Sequence, residues 1–145
     1  MAALTEGRLT PRREGDYIEA GVAASTRIFP GALVMRNAAG FLLRGATATG
    51  SVGVGVADRE ANNTAGSAGD ITARVQIGTF LMGNSAAGDA IAIADIGNVC
   101  FIVDDQTVAK TDGTGTRSPA GIVADVTSLG VWVRFDEALT AAAAA

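Results

Sequence analysis

The side chains that most often carry catalysis are scarce in this chain of 145 residues. It has no His, which removes the commonest general base and the commonest zinc ligand, and with it any Ser-His-Asp or Cys-His arrangement. The single Cys, Cys100, lies inside the apolar run Val99–Val103, the setting of a buried and inert thiol rather than a nucleophile. Lys110, the only Lys, sits in a polar stretch and not in the apolar pocket that Schiff-base chemistry needs. Asp104 and Asp105 are adjacent, so in a strand they point to opposite faces. Gln106 and Thr107 follow them instead of further ligands, and a solvated turn is the simpler reading.

The glycine-rich pieces offer no more. Gly53-Val54-Gly55 lacks the third glycine and the following helix of a dinucleotide fingerprint. Gly113-Thr114-Gly115-Thr116-Arg117 lacks the Lys of a phosphate loop. Neither catalytic residues, nor a metal site, nor a cofactor is expected. Two other groups stand out. Arg8, Arg12 and Arg13 cluster near the N-terminus, just ahead of Tyr17. Trp132 and Arg134 share one face of a strand, opposite Val131, Val133 and Phe135. Either both faces of that strand are buried in a barrel, or Trp132 lies in a subunit contact, where Trp and Arg are enriched.

The elements that must position these residues read as β-strands. Val99–Val103, Ile122–Val126 and Val131–Phe135 are short β-branched runs separated by Asp, Gly, Ser and Thr clusters. Upstream, a strand begins at Tyr17. A Pro30-Gly31 turn leads into 32–36, and Ala38-Ala39-Gly40 closes a hairpin onto 41–44. In 51–58 Val52, Val54 and Val56 alternate with Ser51, Gly53 and Gly55, which implies a strand whose glycine face lies against another backbone. In 71–77 Ile71, Ala73, Val75 and Ile77 face inward and Thr72, Arg74 and Gln76 outward. Ala-Gly-Asp occurs at 68–70 and again at 87–89, each expected to launch a strand. No long amphipathic helix is visible, and the terminal alanines are expected to fray.

The reading is therefore all-β: a small antiparallel β-barrel or sandwich of about ten short strands over residues 17–136. A flexible N-terminal arm, 1–16, and an Ala-rich C-terminal tail, 137–145, flank it. Hydrophobic residues make up 48% of the chain but aromatics only 5%, so the core is built of Val, Ile and Ala. A net charge of −4 argues against nucleic acid as a partner. No apolar run approaches membrane-spanning length and no signal-peptide core is present, so a reducing cytoplasm is the expected site of synthesis.

Taken together, VGVGVAD at 52–58, the AGD…IGTFLM segment of 68–82, and DIG–VDDQTVA–TRSPAGIV–D–GVWVRF within 95–136 resemble tailed-bacteriophage capsid decoration (cement) proteins. The resemblance implies a β-rich protein made in a bacterial host and held on the outer surface of the virion head. Its partners would be the major capsid protein and further copies of itself, commonly a homotrimer, with a dimer as the other arrangement. In several such proteins an N-terminal arm contacts the capsid, and residues 1–16 would be that arm. The choice of Arg8, Arg12, Arg13 and Tyr17 as its contact residues comes from their charge and position, not from a family motif. Two further classes remain open. One is a carbohydrate- or host-surface-binding β module displayed on the virion, which needs an exposed aromatic platform. The other is a hydrolase using Asp104 and Asp105.

Overall fold

The computed structural model describes residues 2–10, 13 and 15–145. Twelve strands and one short helix follow in chain order: β1 (Tyr17–Gly21), β2 (Thr26–Ile28), β3 (Leu33–Arg36), β4 (Leu42–Arg44), β5 (Val52–Ala57), β6 (Ala61–Asn63), β7 (Thr72–Gln76), β8 (Gly78–Asn84), β9 (Val99–Ile102), β10 (Thr107–Ala109), β11 (Pro119–Thr127), β12 (Gly130–Phe135) and α1 (Glu137–Ala144). The fold is all-β, as the residue pattern implies, but it has two parts. The N-terminal strands form an open sheet in the order β1-β7-β5-β3-β4, with β2 and β6 as a separate ribbon. The C-terminal strands close a five-stranded barrel, β10-β8-β12-β11-β9. Its pairings are antiparallel except at one seam, where β10 runs parallel to β8.

The central strands β3 and β5 of the sheet are buried on both faces. Leu33, Met35 and Val56 join the barrel interior, packing with Cys100, Ile102, Val108, Val123, Val131, Val133 and Phe135. Val34, Val54, Ala57, Ala73 and Val75 form a second core with Val22, Ile28 and Leu42. The expected strict alternation of Val52, Val54 and Val56 is broken by a bulge. Val34 pairs with Gly55 and Met35 with Gly53, so β5 holds one extra residue, and Val54 and Val56 serve different cores.

The glycines of β5 act as their spacing implies. A Cβ on Gly53 would stand 1.9 Å from the Ala120 carbonyl oxygen of β11, and one on Gly55 would stand 2.1 Å from that of Gln76 in β7. Only a residue without a side chain lets the sheet approach the barrel this closely at Gly53, and lets β7 lie this close to β5 at Gly55. The alternation in β7 also holds, with Ala73 and Val75 buried and Thr72 exposed.

Two local expectations fail. The second Ala-Gly-Asp does not launch a strand: Ala87–Asp89 is a 3-10 turn, followed by another at Ile93–Asp95. Asp95 closes that second turn by accepting from the Ala92 N–H, and competition from such local hydrogen bonds keeps the segment out of a ladder. Nor do the terminal alanines fray through to the body. Ala is the strongest helix former, Asp136 caps the Leu139 N–H, and a 2.6 Å ion pair from Glu137 to Arg36 ties α1 to β3. Thr140 is fully buried where α1 lies over β5 and β11.

Candidate functional site

The N-terminal basic segment divides at Asp16. Residues 2–10 form no strand or helix and are exposed, with Leu9 99% and Leu4 69% accessible. Arg8 and Arg13 are exposed too; Arg12 lies outside the described residues. The first strand is joined where the Ile77 N–H donates to the Asp16 carbonyl and Tyr17 pairs with Gln76. Tyr17 therefore belongs to the body. Its ring lies 3.9 Å from the Arg74 guanidinium, and its hydroxyl accepts from Gln76 Nε2 at 3.3 Å. The segment leaves from β1, an edge strand of the sheet, which leaves one row of backbone groups open for pairing.

Trp132 and Arg134 lie on the outside of the barrel. Val131, Val133 and Phe135 fill its interior, so of the two readings of this strand the one with both faces buried does not hold within a single chain. Trp132 is half-buried between its cross-strand neighbours Leu81 and Asp125. Beyond it Leu129 protrudes from the β11–β12 turn, 76% exposed. The Arg134 guanidinium has only a loose contact with Asp136, at 3.6 Å. Trp132, Leu81 and Leu129 thus form an open apolar strip with Asp125 and Arg134 at its sides.

Most of the remaining candidates have structural partners, and Asp105 contributes its backbone carbonyl, which accepts from the Leu33 N–H. Cys100 is fully buried, and burial pushes its thiol up to about 12. Asp104 accepts from the Gln106 N–H in a tight turn. In the Gly113–Arg117 loop, the Asp112 side chain accepts from the Thr114 N–H, and Arg117 reaches back to Asp89. Asp89 also accepts from the Thr111 hydroxyl, and that bond, with Arg117 beside it, holds its carboxyl below its ordinary 3.8. Among the described residues no three His, Cys, Asp or Glu side chains gather as a metal site.

Sequence reasoning missed a cleft of about 650 Å³ between β2, β4 and the 45–51 loop, lined by Ser25, Arg27, Met35, Asn37, Leu43, Arg44, Thr49 and Ser51 among others. Its residues come from four separate stretches, so no local motif announces it. Its loop wall is pinned from behind. The buried Ser118 hydroxyl donates to the Ala48 carbonyl at 2.6 Å and accepts from the Ser51 N–H at 3.1 Å. Comparison of the chain with protein-family models, with curated proteins and with solved structures finds no match.

Proposed function

We propose that this chain is a structural capsid decoration (cement) protein that binds the outer surface of a bacteriophage head and stabilises the mature shell. The observation that carries the reading is the residue pattern at 52–58, 68–82 and 95–136, which resembles that family. Those segments supply β5, β8 and most of the barrel, so the resemblance covers the framework and not a detachable loop. The basic segment fits a capsid-binding arm: the exposed Arg8 and Arg13, with Arg12 beside them in sequence, offer charge-assisted hydrogen bonds, and the exposed Leu4 and Leu9 offer apolar area. The open strip around Trp132 suits contact between copies in a homotrimer. Repeated sites on an icosahedral shell then multiply a modest affinity per subunit, and binding to the mature shell alone stabilises that state by mass action.

Glycan recognition has weaker support, because two of the aromatics it would use are covered and Trp132 stays open, half-buried on the barrel wall. Arg74 covers Tyr17, and Arg27 sits 4.8 Å over the ring of Phe29. The test is to delete residues 2–15. The truncated protein is expected to keep its fold and lose head binding in co-sedimentation. Unchanged decoration by the truncated form would remove the arm from the account.

A further inference from the structure

The cleft whose wall Ser118 pins is opposite in charge to the protein as a whole. The protein carries a net −4, yet the cleft lining contains two arginines and no Asp or Glu. Arg27 is neutralised from outside by Glu60 at 2.6 Å. Arg44 is not. Arg36, Arg59, Arg74, Lys110, Arg117 and Arg134 each have a carboxylate within 4.0 Å, whereas Arg44 has none among the described residues. It stands on the edge strand β4.

Neutral donors converge on the same space. The hydroxyls of Ser25, Thr49 and Ser51 have no hydrogen-bond partner among the described residues. Asn37 spends its carboxamide oxygen on the Ala39 and Phe41 N–H groups, which leaves its two amide hydrogens free. Ser25 holds a positive φ of 55°, a conformation that costs a non-glycine residue and is found disproportionately at binding sites. Met35, Leu43 and Ala48 supply an apolar floor. A guanidinium, several hydroxyl and amide donors and a floor able to take methylenes describe a receptor for a carboxylate on an aliphatic stem. An inorganic anion would need neither that floor nor a space of about 650 Å³.

We propose that this cleft is a carboxylate-binding site that takes a Glu or Asp side chain presented by a partner protein, with Arg44 as the paired cation. Identifying the partner as the viral shell deepens the decoration reading and rests on it. The cleft would then be a second point of attachment, remote in sequence from the N-terminal arm.

Two measurements on the full chain test the proposal separately. The first follows backbone amides by NMR at constant ionic strength during titration with N-acetyl-glutamate methylamide, its neutral glutamine counterpart, or inorganic phosphate. The glutamate probe is expected to shift Thr26, Arg44, Thr49 and Ser51 saturably, and the glutamine probe is not. Arg44→Ala should abolish the response, and Arg44→Lys should weaken it by losing the two-pronged contact. The site is overturned if the two probes act alike, if Arg44→Ala responds as wild type does, or if only phosphate binds. The second compares head binding by wild type and Arg44→Glu, with an expected loss of about ten-fold or more at low salt. Equal binding by the two proteins overturns the shell as partner, as does a fall in oligomer mass in Arg44→Glu, which would assign the cleft to a second copy. If wild type binds no heads at all, the decoration reading fails while the probe titration still decides the site.

Discussion

Replacing Gly53 with Ala should do more damage than any other single methyl added to β5 or its neighbours. The new Cβ would lie 1.9 Å from the Ala120 carbonyl oxygen, where real Cβ atoms essentially never come within 3.0 Å. Strands β5 and β11 must therefore part by about 1 Å, and the obstacle is backbone, which cannot rotate away as a side chain does. Parting them also loosens the apolar layer between the sheet and the barrel, where Met35 and Val56 meet Val123 and Val133. Overpacking in a filled core costs about 1–3 kcal/mol, and a rigid backbone contact places this variant at or above the top of that range. For a chain of this size ~3 kcal/mol corresponds to a fall in melting temperature of roughly 10 °C. Urea unfolding and a thermal melt would measure it. Gly88→Ala is the control, because nothing lies within 4 Å of its added methyl, and it should stay within about 0.5 kcal/mol of wild type. A Gly53→Ala protein as stable as the control would refute the close approach of sheet and barrel.

Other outcomes follow from the buried and paired groups. The Cys100 thiol, held near 12 by burial, should ignore a disulfide reagent at pH 8 in the native protein and release one equivalent on denaturation; rapid native reaction would contradict its burial. Asp89 has a folded pKa below its unfolded value. Its contribution to stability is therefore present above the ordinary 3.8 and is lost as pH falls through the lowered value. Asp89→Asn should accordingly flatten the acid limb of a stability–pH curve, and an unaltered limb would dismiss the Thr111 and Arg117 contacts as its source. Trp132→Ala should lower the light-scattering mass of the assembled protein with the far-UV spectrum unchanged, whereas an unaltered mass would remove the barrel strip from self-association.

The parts of the fold legible in the residues were those set by local chemistry. The Ala38–Gly40 turn, the alternation in β7 and the glycines of β5 each state a constraint within a few positions, and each is met. The failures have a common physical origin in tertiary context. The bulge at Val54 is invisible in an alternating string, because it depends on how β3 registers against β5. The division into sheet and barrel depends on β11 bending through two register shifts to pair with both β9 and β12. The last helix was hidden by reading alanines as low complexity instead of as helix formers awaiting the Asp136 cap. Of the candidate residues, Trp132 and Arg134 share a face as their spacing implies, and only the folded chain shows that face to lie outside the barrel, while Tyr17 anchors the body and not the arm. The Arg44 cleft was beyond reach, since Ser25, Arg44 and the Ser118-pinned loop converge only in the folded chain.

Attachment to a shell is measured by co-sedimentation of the purified protein with mature phage heads that lack it, followed by electron microscopy. A decoration protein should bind saturably in a fixed ratio to shell subunits, give regular density on the outer surface, and leave heads that survive higher temperature than bare ones. Protein left wholly in the supernatant, with heads no more durable than before, would contradict it.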